Sequence, residues 1–84
     1  MNGEAVLEAI RALLRELGVE ARVEPQSDLA ADLGLDSVKR LALVVELENR
    51  LHVVLEPGED EEVATVAQLV SLVERALARS PEAA

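Results

Sequence analysis

The sequence predicts an all-α protein, a small four-helix bundle with three main helices, one short helix and a long loop between the first two. Three stretches carry apolar residues at helical spacing, and helix start or stop signals flank each of them. The chain has 84 residues, which is enough for one domain but leaves little room for a second core. We therefore expect a single domain over residues 1–84, with its core at about 4–78 and a frayed tail at 79–84.

The first helix is predicted to run from about Glu4 to Leu17, and Gly18 stands just past its last apolar position, where glycine commonly ends a helix. Its apolar stripe comprises Val6, Ile10, Leu13, Leu14 and Leu17. The stretch that follows, Val19–Leu35, has no clear period. Loops this long are uncommon in compact domains and are often functional. Leu29 and Leu33 are predicted to pin this loop to the core.

The second helix is predicted to begin at Asp36 or Ser37 and to end at about Leu51, and it carries more apolar surface than one buried face needs. One stripe is predicted to face the core and comprises Leu43, Val44, Leu47 and Leu51. The other stripe points elsewhere and comprises Val38, Leu41 and Val45; we call it the Val38 stripe. The alternative is a helix that is buried on two sides.

Three short segments and a last helix follow. Residues 53–55 are predicted to form an extended link, Pro57 and Gly58 a turn, and the acidic run at 59–62 one short helical turn. The last helix has a clear start, since Thr65 and Gln68 have the spacing of a capping box. Its apolar residues, at helical spacing, are Val66, Leu69, Val70, Val73 and Leu77.

The composition excludes several classes of function. The formal charge is −9, and no nucleic-acid partner is expected because contacts to phosphates require a basic surface. No cysteine is present, so disulfides and thiolate metal sites are excluded. The longest wholly apolar run, Leu41–Val45, is far too short to span a membrane, and no signal peptide is visible. We expect a cytoplasmic monomer, not inserted in a membrane, with an aliphatic core because Phe, Tyr and Trp are absent.

Residues for catalysis are not evident. His52 is the only histidine, and it has neither a set of metal-ligand partners nor a nucleophile to activate, so we expect a helix-end or surface residue. No paired acids, glycine-rich phosphate loop or H-E-x-x-H pattern is present. We therefore expect neither catalytic residues nor a metal site, and predict that the protein is not an enzyme.

The most informative segment is Asp32-Leu33-Gly34-Leu35-Asp36-Ser37-Val38. Asp36 is a good N-cap, so Ser37 is expected in the first turn of the second helix, exposed and reachable. Free backbone N–H groups and the helix dipole stabilise an anion there, such as a phosphate ester on Ser37. Asp32 and Asp36 could present a Mg²⁺-bound phosphate donor to the hydroxyl. An Asp-Ser pair alone is also an ordinary helix start.

These residues resemble the acyl carrier protein family, in which D-L-G-x-D-S-[LM] begins the second helix and the serine carries 4′-phosphopantetheine. The resemblance covers roughly residues 4–78. Beyond the motif it is carried by Leu17-Gly18-Val19, Leu29, Leu47-Glu48 with Leu51, and Thr65-Val66 with Leu69. It implies a non-catalytic carrier of acyl thioesters whose arm is attached to Ser37. It also implies that a phosphopantetheinyl transferase recognises Asp36, and that acyl-loading and acyl-processing enzymes contact the Val38 stripe.

The sequence departs from the family beside the serine. Lys39 and Arg40 stand where members commonly carry acids, so the surface offered to partners there includes two bases. From Asp36 to Leu51 the three acids and three bases sum to zero. The departures favour a specialised polyketide, lipid or secondary-metabolite pathway over housekeeping fatty acid biosynthesis. The alternatives are a peptidyl or aminoacyl carrier and, in another class, a helical protein-interaction module without a cofactor.

Overall fold

The computed structural model describes residues 3–55 and 63–79. The described ranges hold three helices, α1 (Gly3–Glu16), α2 (Ser37–Leu51) and α3 (Val66–Arg79), and α1 packs against both of the others. They contain no strand, only an isolated antiparallel bridge between Asp28 and Thr65. The all-α prediction is therefore confirmed. The turn at residues 57–58, the short fourth helix expected at 59–62 and the tail beyond residue 79 lie outside the described residues.

The end of α1 is built as the glycine at its C-terminus predicts. Gly18 adopts a positive φ of 89°, a conformation that costs glycine nothing. Its N–H donates to the carbonyl of Arg15, and the N–H of Val19 donates to the carbonyl of Leu14. This is the Schellman arrangement, which satisfies the last carbonyl groups of a helix. The helix bounds differ by one residue at each end from those predicted.

Both ends of α2 are closed by local hydrogen bonds. The carboxylate of Asp36 accepts from the backbone N–H of Lys39 at 2.8 Å, which makes Asp36 the N-cap, as predicted. At the other end His52 adopts a left-handed conformation with φ 55°, and its N–H donates to the carbonyl of Glu48. His52 is exposed, so the structure agrees with the expectation of a helix-end or surface residue.

The start of α3 contains the predicted capping box. The hydroxyl of Thr65 accepts from the backbone N–H of Gln68 at 3.2 Å. In return the side-chain oxygen of Gln68 accepts from the backbone N–H groups of Thr65 and Ala64, at 3.1 and 2.7 Å. The cap thus satisfies one donor of the first turn, the N–H of Gln68, and the N–H groups of the two residues that precede the helix.

The long loop between α1 and α2 is held against the start of α3. The N–H of Leu29 donates to the carbonyl of Ala64, and the N–H of Val66 donates to the carbonyl of Ser27. Leu29 and Leu33 are buried, as predicted, with 2% and 6% of their surface exposed. The loop is therefore a packed part of the domain, which gives α2 a fixed starting point.

The core is aliphatic throughout. Its buried side chains come from all three helices, from the long loop and from the segments that flank the residues left undescribed. Ser27 is the one buried polar residue among those described, and its hydroxyl accepts from the N–H of Glu24 at 2.9 Å. The described helices include none that is long and apolar enough to cross a membrane.

Candidate functional site

Ser37 is the first residue of α2, and its side chain is exposed. The two preceding residues fix its position, because Leu35 is buried while Asp36 caps the helix. Gly34 lets the chain turn into the helix with a φ of 69°, and its N–H donates to the carbonyl of Ala30. The serine hydroxyl therefore stands at the positive end of α2, where an attached anion is stabilised.

Asp32 has a structural role in the long loop that precedes Ser37. Its carboxylate accepts from the N–H of Asp28 at 2.7 Å, while the carboxylate of Asp28 accepts from the N–H groups of Ala30 and Ala31. These bonds close the turn that leads to Gly34. A role of Asp32 in presenting a metal-bound donor stays a prediction. Among the described residues no group of three or more His, Cys, Asp or Glu side chains could hold a metal ion.

The Val38 stripe lies on the surface. Val38 is 76% exposed, Leu41 is 59% exposed and Val45 is 42% exposed. On the opposite side of α2, Leu43 and Leu47 are fully buried in the core. The alternative of a helix buried on two sides is therefore wrong. What contacts the stripe stays a prediction at this point.

The two bases that follow Ser37 have different surroundings. Lys39 is exposed, and its backbone N–H donates to the carboxylate of Asp36. Arg40 is half-buried, and its guanidinium donates to the main-chain carbonyl of Val63, in the segment that enters α3. Sequence reasoning missed this contact because the two residues are 23 positions apart. Both bases were expected to face partners, but Arg40 also has a structural role, because its hydrogen bond joins α2 to the segment that enters α3.

A further contact that the sequence did not reveal lies at the other end of α2. The carboxylate of Glu48 accepts from the N–H of Leu55 at 2.8 Å, and the main-chain carbonyl of Glu48 accepts from the N–H of Val53. Both flanking residues are buried, whereas Val54 between them is 75% exposed. The predicted extended link is therefore tied to the last turn of α2.

Comparisons with known proteins point to one family. A family model described as a phosphopantetheine attachment site matches residues 4–73. The acyl carrier protein of Thermotoga maritima is 32% identical over 76 residues, which cover 88% of this chain and 94% of that protein. The acyl carrier protein of Chlorobium phaeobacteroides is 31% identical over 62 residues, which cover 73% of this chain and 80% of that protein.

A comparison with solved structures points to the same family. A solved structure from Mycobacterium tuberculosis, described as "a putative acyl carrier protein", superposes with a TM-score of 0.76 at 28% sequence identity. The match covers 83% of this chain and 96% of that chain. The fold of this chain is therefore similar to that of the solved protein over nearly the whole length of that protein.

Proposed function

The chain belongs to the acyl carrier protein family, whose members hold a covalent 4′-phosphopantetheine group, and we propose that in this chain the group is attached to the hydroxyl of Ser37. Members of the family are carriers and catalyse no reaction themselves. The arm supplies the thiol on which an acyl group is held as a thioester. The chain supplies a fixed attachment point and a surface that partner enzymes contact.

The position of Ser37 among the serines carries this proposal. The family model matches residues 4–73, and the described serines in that range are Ser27, Ser37 and Ser71. Ser27 is buried and its hydroxyl is engaged by the N–H of Glu24. Ser71 is exposed but lies inside α3, where the N–H groups are paired within the helix. Ser37 alone of these three combines exposure with a helix N-terminus.

The chemistry of attachment fits this position. The Ser37 oxygen attacks the pyrophosphate of coenzyme A, a new P–O bond forms, and adenosine 3′,5′-bisphosphate leaves with the electrons of the broken bond. The proton of the hydroxyl passes to a base of the transferase. The product is a phosphodiester with one negative charge, and the first N–H groups of α2 and the helix dipole stabilise that charge.

The surface of α2 favours a specialised pathway within the class. Acids and bases cancel from Asp36 to Leu51, and Lys39 stands exposed two residues after Ser37. A neutral face is expected to match enzymes that lack a strongly basic docking patch. We therefore favour a polyketide, unusual-lipid or secondary-metabolite pathway. A peptidyl or aminoacyl carrier remains the second candidate, because it is supported by the same exposed base.

Mass spectrometry tests the attachment site. The chain is co-expressed with a broad-specificity phosphopantetheinyl transferase, and the intact protein is weighed. We expect the wild type and Ser71→Ala, the matched control, each to gain the mass of one phosphopantetheine group, and Ser37→Ala to gain none. A wild type without the added mass, or a Ser37→Ala variant that gains it, would contradict the proposal. The same measurement on protein from the native host, with its cargo still attached, separates acyl from aminoacyl groups.

A helical interaction module without a cofactor is no longer a competing explanation. The model that matches most of the chain is that of a phosphopantetheine attachment site. An exposed apolar stripe is compatible with both kinds of protein, so the stripe alone does not favour the module. The partners expected are therefore a phosphopantetheinyl transferase and acyl-processing enzymes.

A further inference from the structure

Arg40 and Ser37 are neighbours on one face of α2, because they lie three residues apart within the helix. Residues at this spacing have about 5–6 Å between their Cβ atoms. Side chains on a helix also lean toward its N-terminus, so Arg40 leans toward the turn that contains Ser37. Lys39 is two residues from the serine and therefore points to another side of the helix. Of the two bases, Arg40 has the position that suits a negative group on Ser37.

The segment that Arg40 contacts lies at the same end of α2 as the serine. The N–H of Leu35, two residues before the serine, donates to the carbonyl of Leu29 at 3.0 Å. The N–H of Leu29 in turn donates to the carbonyl of Ala64 at 2.8 Å. The guanidinium of Arg40 donates to the carbonyl of Val63, the residue before Ala64. These bonds form a closed path from the start of α2 through the long loop to the segment that enters α3, and back to α2 at Arg40.

The guanidinium of Arg40 can bind two acceptors at once. A guanidinium carries five N–H donors in a rigid planar fork, and the bond to Val63 uses one of them. A phosphodiester has two free oxygens that share one negative charge, and hydrogen bonds from a guanidinium to phosphate oxygens are among the strong ones in proteins. Arg40 is half-buried, so water and salt screen its charge only in part. Its chemistry therefore fits a phosphodiester as a second acceptor.

The acids that precede the serine favour the same contact. Asp36 is adjacent to Ser37, and its carboxylate accepts from the N–H of Lys39. A phosphodiester on Ser37 would place a second negative charge beside that carboxylate, and like charges repel. The phosphodiester is therefore expected to turn away from Asp36 and toward Arg40, the base on its own face of α2.

We propose that the guanidinium of Arg40 binds the phosphodiester on Ser37 while it keeps its hydrogen bond to the carbonyl of Val63. The inference rests on the proposed function, because it requires the arm to be attached to Ser37. Arg40 takes no part in the chemistry of attachment. It is a positioning residue, which holds the first atoms of the arm on the side of α2 that faces the segment entering α3. Attachment thus adds a contact between α2 and that segment, so the loaded chain is more stable than the apo chain.

Thermal unfolding of the apo and loaded chains tests the contact. Each variant is prepared with and without the phosphopantetheine group, and the intact mass confirms loading. Attachment is expected to raise the unfolding midpoint of the wild type by about 2–5 °C, because one partly exposed contact between opposite charges is gained. In Arg40→Gln the rise is expected to be less than about 1 °C. Lys39→Gln is the matched control, since it removes an equal charge from the next position, and it is expected to keep the rise of the wild type.

Nuclear magnetic resonance tests whether both acceptors are bound together. The amide nitrogen of Ala64 is bonded to the carbonyl carbon of Val63, so its resonance responds to the hydrogen bond that this carbonyl accepts. It is expected to differ between apo wild type and apo Arg40→Gln, but to change little when the wild type is loaded. The guanidinium resonances of Arg40 are expected to move on loading. If Arg40→Gln does not fold, Arg40→Lys replaces it, because lysine keeps the charge but lacks the fork. Its rise on loading is expected to be less than half that of the wild type.

The inference and the proposed function fail by different results. A wild type whose midpoint does not rise on loading, or an equal rise in wild type and Arg40→Gln, would overturn the inference. An Ala64 resonance that moves on loading to its position in apo Arg40→Gln would also overturn it, because Arg40 would then have left Val63 for the phosphodiester. A wild type that gains no phosphopantetheine mass would contradict the proposed function itself. A chain that is loaded on Ser37 and is indifferent to Arg40 contradicts only the inference.

Discussion

The guanidinium of Arg40 donates a hydrogen bond to the main-chain carbonyl of Val63 and so joins α2 to the segment that enters α3. Arg40 stands three residues after Ser37, a spacing that places the two on neighbouring positions of one helix face. The base whose spacing best suits a phosphate on Ser37 is therefore engaged in tertiary structure, and Lys39 is the exposed base beside the proposed attachment site. Of the two bases that follow Ser37, only Lys39 is therefore fully exposed, so the surface next to the serine is less basic than the sequence implies.

Removal of the Arg40 guanidinium is expected to destabilise the fold. Arg40→Gln should lower the free energy of unfolding by about 1–2 kcal/mol, because the main-chain carbonyl of Val63 loses the hydrogen bond from a charged, half-buried donor. Lys39→Gln is the matched control, because it removes the same charge from an exposed neighbour, and a change within about 0.5 kcal/mol is expected. Urea denaturation measures both. Equal losses for the two variants would mean that the contact with Val63 contributes no stability.

The cap and the charge of Asp36 can be separated by two substitutions. Asp36→Ala removes the acceptor for the N–H of Lys39 and should lower the free energy of unfolding by about 1 kcal/mol. Asp36→Asn keeps an oxygen in that place and should retain most of the stability. Both variants are expected to receive the phosphopantetheine group more slowly, because we expect the transferase to recognise the carboxylate of Asp36. An Asp36→Asn chain that is modified as fast as the wild type would show that the cap alone is needed.

The capping box of α3 gives a prediction of stability. Gln68→Ala removes the acceptor for the N–H groups of Thr65 and Ala64 and is expected to lower the free energy of unfolding by about 1 kcal/mol. Gln68→Glu keeps an acceptor and adds a negative charge at the positive end of the helix, so it should be at least as stable as the wild type. Thermal unfolding compares the three proteins. A loss in Gln68→Glu equal to that in Gln68→Ala would exclude this explanation.

The parts of the fold that depend on near neighbours were predictable. Gly18, Asp36 and the pair Thr65 and Gln68 act within about one helical turn, and each cap forms as the sequence indicates. The two stripes of α2 were also predictable, because helical periodicity assigns residues to faces without knowledge of what packs against them. Periodicity did not decide whether the Val38 stripe is exposed, because a helix buried on two sides has the same pattern, and only the structure excludes that alternative.

Contacts between distant segments were not predictable. Nothing in the sequence pairs Arg40 with Val63, or directs the loop at Leu29 to the carbonyl of Ala64, because such contacts depend on the final packing of the helices. The tie between Glu48 and Leu55 is shorter in sequence, but it forms only after the chain turns at His52 in a left-handed conformation. The sequence did not predict that conformation at His52, because the residue that adopts it at the end of a helix is usually glycine or asparagine.

The long loop is expected to contribute more stability than the Val38 stripe, although it lacks regular structure. Leu29 is 2% exposed whereas Val38 is 76% exposed. Leu29→Ala should lower the free energy of unfolding by about 2–4 kcal/mol through lost burial and a cavity. Val38→Ala should change it by less than about 0.5 kcal/mol, since alanine also favours helix. Urea denaturation measures the difference, with Leu29→Val as the milder variant if Leu29→Ala does not fold. A loss in Val38→Ala as large as that in the Leu29 variants would mean that the stripe packs against the domain and is not available to partners.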